Sequence, residues 1–358
     1  MQAGTRFRAG IIGFALTFFL LLRLLEQFPS FVERYYSNAL YPVITVLVSN
    51  FSGQFNFSVT EFVLWFTVFV GLPLVIGRIR RKRHKLGRVL LNLVTVFAVL
   101  FIWFYLFWGL NYFREPLKVK LGLDRVDLPM NAFDSTFVAI IQKTNDLNFA
   151  YSILDVADIN AHIDSAYDVV FENLGLPKVP GYKGLKTFAA NWLLNKTTTS
   201  GWFSPLFHEV QYNTDLLIYE LPFVLAHEKA HQKGYTSEAE ANFLAYLVCT
   251  SSSEALCRYS GYFHAASLFL TRLEDQEERR QFYLDQLDRG VRFNLREVRA
   301  RWARHRGWLS RLAKRGYDLY LKSNNVAGGI DSYTRAVDYI ILFDKAKQAR
   351  LSARNRLP

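Results

Sequence analysis

The sequence predicts a mainly α-helical membrane protein, in which three N-terminal transmembrane helices precede a mostly helical globular domain. Two observations carry this expectation. Three apolar runs crowd the first third of the 358-residue chain, and each is close to the roughly 20 residues that cross a bilayer. Beyond Arg114 the composition turns globular and helical periodicity dominates. Bulk composition agrees. Hydrophobic residues make up 51% and aromatics 16%, yet mean hydropathy is only +0.06, as when a strongly apolar part is joined to an ordinary one.

The first run spans about 9–25 and follows Arg6 and Arg8. A basic start and apolar centre also suit a signal peptide, but Glu26, Gln27, Phe28 and Pro29 follow where a small-residue cleavage site belongs. An uncleaved anchor is the better reading, with Arg23 snorkelling to the interface. The second run spans about 62–79 and the third about 89–110. The third ends in Trp103, Phe104, Tyr105, Phe107 and Trp108, the aromatics that line a membrane–water boundary.

The net charge is +12, and its placement decides what it means. Arg78, Arg80, Arg81, Lys82, Arg83, Lys85 and Arg88 fill the short loop between the second and third runs. Such loops stay in the cytoplasm. The N-terminus then also lies inside, and everything after Tyr112 lies outside. The basic loop sets topology, and nucleic acid is not an expected partner. These readings divide the chain into a membrane region, 1–112, and an extracytoplasmic domain, 113–358. The protein is expected to be a multi-pass component of the cell membrane.

Within the outer domain, Ile159–Asn173 and Phe243–Thr250 read as helix, and 202–213 (WFSPLFHEVQYN) reads as extended. An Arg-rich stretch, 289–315, carries interleaved Trp302, Trp308, Leu309 and Leu312. It suggests an amphipathic helix, with a solvated face as the plain reading and a membrane-surface contact as the second. Cys249 and Cys257 lack metal-binding spacing and read as buried thiols.

Residues 227–231, HEKAH, form an HExxH motif. On a helix, positions i and i+4 share a face, so His227 and His231 can bind one zinc ion. Glu228 is then placed as general base toward a water at the open position. Pro222 suits the first turn of such a helix, and Gly234 sits where a helix-terminating glycine belongs. A third protein ligand is needed. The metzincin continuation fails, because Ser237 stands where the third histidine would be and only Met1 and Met130 exist. Glu238 and Glu240 remain. Ser237-Glu238-Ala239-Glu240 reads as a capping box in which Glu240 bonds back to the cap amide. That leaves Glu238 as the expected ligand, with Asn242 one turn on to accept the spare N–H of a ligand histidine.

This arrangement resembles the gluzincin peptidases, whose third ligand is the glutamate of an E-x-x-x-D segment; here Asn242 replaces the aspartate. HEKAHQKGYTSEAEANFLAYLVC, GWFSPLFHEVQYN, WGLNYFREPL and YLKSNNVAGGIDSYTRAVDY together resemble an uncharacterised family of bacterial membrane proteins, domain of unknown function 3810, over nearly the whole chain. The resemblance implies a peptidase-like site and a zincin-like (α+β) domain. It also implies an edge strand at about 202–210 that holds substrate backbone, with His208 and Glu209 lining the cleft. Donors for a developing oxyanion are sought in Tyr333, then Arg335 and His264.

The expected function is that of a membrane-anchored, zinc-dependent metallopeptidase acting on peptides or proteins of the cell envelope. His227, His231 and Glu238 hold Zn2+, and Glu228 handles the proton. The alternative is a non-catalytic envelope protein with a structural metal. An intramembrane protease is disfavoured by Glu220, Pro222, Lys229, Gln232 and Lys233 around the motif.

Overall fold

A computed structural model describes residues 2–80, 86–149, 151–324 and 334–354. It is mainly helical with one small sheet. The chain forms two compact units. The first holds residues 1–115, 179–182 and 204–209; the second holds the remainder.

In the first unit, α1 (Gln2–Leu25) packs against α4 (Leu86–Phe107), with Phe18 edge-on to Phe101 at 6.2 Å. Between them in sequence lie α2 (Tyr41–Gly53) and α3, a continuous helical run over 59–80 with a π-turn at Thr67–Gly71. Three segments are long and apolar enough to cross a membrane: Gly4–Leu25, Val59–Gly77 and Gly87–Phe107. Their apolar side chains point outward, as at Phe14, Leu20, Phe69 and Phe97. Exposed apolar surface on this scale marks a membrane or protein contact. The helices overrun the apolar stretches at one end and stop short at another. α1 begins before Arg6, and α4 ends at Phe107, where Gly109–Phe113 turns into 3-10 helix. Of the basic loop, residues 81–85 lie outside the described residues.

Two buried carboxylates inside this unit are paired. Arg114 forks onto both carboxylate oxygens of Glu33 at 2.9 Å, and both side chains are buried. The Glu209 carboxylate accepts from the backbone N–H groups of Val59 and Thr60 and from the Ser58 and Thr60 hydroxyls. It thereby caps the N-terminus of α3, where the helix dipole favours an anion. His208, at φ +51°, is buried against the Phe107 carbonyl and the Tyr41 ring. His208 and Glu209 are therefore corrected as cleft residues: both serve the helix ends of the first unit.

The second unit is built on α5 (Ala132–Leu147), α6 (Val156–Asn173), α8 (Leu221–Gln232), α9 (Glu238–Ser251) and α10 (Ala255–Arg272). α7 (Asn191–Thr197) is a short helix beside the sheet strands in sequence. Then come α11 (Glu277–Gln286), α12 (Arg289–Ala303), α13 (Trp308–Ser323) and α14 (Ala336–Arg354). Leu225, Ala226, Phe243, Leu244, Val248, Leu256 and Phe269 are fully enclosed in the core. Each large side chain buried this way contributes roughly 1.5–3 kcal/mol. The cysteines are two buried thiols in that packing, not a disulfide. The Arg-rich stretch is two helices, α12 and α13, broken at Gly307.

The sheet has the order β1-β3-β2, with β1 (Leu185–Thr187), β2 (Gly201–Ser204) and β3 (Glu209–Tyr212). β1 runs parallel to β3 with Leu185 opposite Val210. The single extended segment expected at 202–213 is thus two strands, and β2 stands at an edge. β1 has no sequence signal because three residues are too few to show a period of two.

Candidate metal centre

α8 carries the HExxH motif and is enclosed on nearly all sides, so the polar side chains in its second half need partners inside the fold. Pro222 occupies its first turn. The buried Lys229 is satisfied by Asp164 at 2.7 Å and the Lys183 carbonyl at 3.0 Å. The helix ends in a paired turn: Gly234, at φ +83°, donates to the His231 carbonyl, and Tyr235 N–H donates to the Ala230 carbonyl. Only a residue tolerating that φ closes the turn without strain.

This stop positions the site. It brings the Tyr235 carbonyl to 2.7 Å from His231 Nδ1. With Nδ1–H donated there, Nε2 is the atom turned toward its neighbours. His231 Nε2 lies 3.1 Å from His227 Nε2 and 3.6 Å from Glu238 Oε1, and His227 Nε2 lies 3.2 Å from Glu238 Oε2. Zinc bonds of 2.0–2.2 Å at tetrahedral angles place ligand atoms roughly 3.3 Å apart. The three residues therefore fit a single ion with two imidazole nitrogens and one carboxylate oxygen, and could hold one.

The electrostatics of the cluster point the same way. Burial alone would raise the Glu238 carboxyl, but the His231 and His227 imidazoles outweigh burial and hold it well below the ordinary carboxylate range. Burial likewise opposes charge on His231, but Glu238 overcomes it and pushes the imidazole up to about 9. A buried carboxylate is here balanced by a positive imidazole. A metal cation would take over that balancing charge.

Glu228 is buried beside the cluster. Burial raises its carboxyl, while His227 and His231 and the Phe203 backbone N–H pull it down. Its other support is steric. A Cβ on Gly201 would fall 2.8 Å from Glu228 Cγ and Oε1 and 2.8 Å from Val224 Cγ1. The glycine lets β2 lie directly against the carboxylate. Gly201→Ala is expected to cost about 1–3 kcal/mol through overpacking, read as a lower melting temperature of the detergent-solubilised protein.

Three expectations change. Ser237 is the N-cap of α9, but its side chain makes no capping bond. Glu240 does not reach back to the cap; its Oε1 accepts from the Leu117 N–H at 2.6 Å and the Tyr339 hydroxyl at 3.1 Å. Asn242 is buried but bonds neither imidazole among the described residues, and the Tyr235 carbonyl holds His231 instead. Among the sought donors, Tyr333 lies outside the described residues. Arg335 is exposed. His264 stacks on Phe223 with ring centroids 4.2 Å apart, and burial drives its imidazole down to about 4. A tyrosine that sequence reasoning passed over is present: the Tyr317 hydroxyl, from α13, donates to Glu238 Oε1. No local pattern could have found it, since 79 residues separate the two.

Residues 36–341 match the model of the family described as "Protein of unknown function (DUF3810)". The chain belongs to that family. No curated protein and no solved structure matches it. For this DUF3810 member, any statement of activity rests on the cluster itself.

Proposed function

We propose that this DUF3810 protein is a membrane-anchored, zinc-dependent metallopeptidase with a zincin-like (α+β) domain. It sits in the cell membrane with its second unit outside the cytoplasm, and it hydrolyses peptide bonds in peptides or proteins of the envelope. The observation that carries this reading is the convergence of His227, His231 and Glu238 at tetrahedral ligand spacing, with the Glu228 carboxylate buried beside them.

Zinc held by these three residues would supply Lewis-acid activation of water and of the scissile carbonyl. The protein's own groups do the rest. His231 is locked by the Tyr235 carbonyl, so its ligand nitrogen is presented without reorganisation. Glu228, whose carboxyl is raised by burial, takes the proton of the attacking water and passes it to the leaving amine. The Phe203 N–H and the contact with Gly201 fix where that carboxylate stands. β2, at the sheet edge, offers its backbone to an extended peptide by strand addition. Tyr317 is the hydroxyl placed to donate to the carbonyl oxygen as negative charge develops.

A structural metal without catalysis is the rival. Structural zinc sites are normally closed by four protein ligands, whereas three donors meet here among the described residues. An intramembrane variant is opposed by α8, whose 12 residues span about 18 Å against a hydrocarbon core of about 30 Å.

The test is cleavage of an unstructured peptide pool by the purified full chain, read by mass spectrometry. Activity should vanish on chelation and return with zinc. A protein carrying one zinc per chain that cleaves nothing in such pools or in envelope extracts would favour the structural metal. Tyr317→Phe should keep its zinc and its KM while kcat falls about 10²-fold; an unchanged kcat removes the tyrosine from the mechanism.

A further inference from the structure

α13 has two faces of opposite character. Ser310 and Leu321 are buried on its inner side, where Tyr317 reaches Glu238. On the other side Trp308, Leu312, Arg315 and Leu319 follow one another at i, i+4, i+7 and i+11, which is a single helical stripe. The three apolar members are 70%, 58% and 68% exposed, over about 16 Å of helix. Arg311 and Arg315 flank or interrupt the stripe, are exposed, and make no ion pair among the described residues. Lys322 adds a third cation and is paired with Asp318 at 2.7 Å.

We propose that this outward face of α13 lies on an anionic bilayer surface, with Trp308, Leu312 and Leu319 in the headgroup boundary and the cations on lipid phosphates. The buried core of a protein interface is depleted in charge. A narrow apolar stripe set among cations, with a tryptophan at one end, is instead what an interfacial helix presents to lipid. Charge complementarity selects anionic headgroups, each nearby cation strengthening the attachment about fivefold. A bilayer is always at hand, because the same chain carries three segments able to cross one. The inference does not depend on the hydrolytic reading, and its test reads lipid contact alone.

The full chain is reconstituted in nanodiscs of zwitterionic lipid, with or without an anionic phospholipid. A polarity-sensitive fluorophore is placed at Leu312→Cys or Leu319→Cys; the native thiols are buried, and Lys143→Cys, on an exposed position of α5, is the aqueous control. With anionic lipid, both α13 labels should shift to the blue, lose access to aqueous iodide and be quenched by lipid-attached nitroxide, while the control stays accessible. Arg311→Gln with Arg315→Gln should weaken the effect by about fivefold per charge removed. Labels as accessible as the control in both bilayers would overturn the proposal. Shielding without quenching by lipid would also overturn it, in favour of a protein partner. Equal quenching in both lipids would overturn the anionic assignment.

Discussion

Glu238→Ala is expected to empty the proposed metal centre, and Glu240→Ala to leave it filled. Elemental analysis of purified, zinc-reconstituted protein reads the difference directly. Glu238 supplies a carboxylate within reach of both imidazoles, 3.2 Å from His227 and 3.6 Å from His231. Its loss leaves two nitrogen donors one turn apart and removes the negative charge that offsets the cation. Removing a partner that merely supports a ligand already costs roughly 10–100-fold in affinity, so loss of the ligand itself should exceed that. Glu240 is different. Its carboxylate satisfies the buried Leu117 N–H and the Tyr339 hydroxyl. Deleting it orphans those donors at about 1–3 kcal/mol each. The two variants should therefore separate cleanly: one loses zinc, and the other keeps zinc and melts earlier. The reverse pattern would move the third ligand to Glu240 and sink the site described above.

That contrast also shows where sequence reasoning stopped. Everything encoded within one or two helical turns was readable. The i, i+4 histidines, the proline in the first turn and the glycine that ends α8 lie within thirteen residues, and each acts through its nearest neighbours. The three apolar segments were readable for a similar reason, since each is a continuous run of neighbouring residues long and apolar enough to cross a bilayer. Long-range competition was not readable. The capping box at Ser237 is a sound local pattern, yet Glu240 is claimed by groups 123 and 99 residues away. Asn242 sits on the expected face, but the turn after α8 delivers a nearer acceptor in the Tyr235 carbonyl. His208 and Glu209 look like cleft residues beside a strand; a buried helix N-terminus claims Glu209 and a helix C-terminus claims His208. For Glu240, Glu209 and His208 the partner is set by the tertiary fold.

Glu228→Gln is the second large effect, and it should act on rate alone. Glutamine keeps the size of the side chain and an oxygen for the Phe203 N–H, so β2 and α8 need not move. None of the three candidate ligands is altered, and zinc content should stay at the wild-type value. What disappears is the ability to take a proton, because an amide is not a base at neutral pH. Loss of a positioned general base costs about 10²–10⁴-fold, and here the same group also returns the proton to the leaving amine, which argues for the upper end. Cleavage of a substrate found with the wild-type protein should fall by that factor in kcat with little change in KM. A zinc-replete Glu228→Gln that still turns over at the wild-type rate would remove the acid from the chemistry. Its burial beside the cluster would then have to be explained as packing against Gly201, and the structural-metal reading would become the better account of the site.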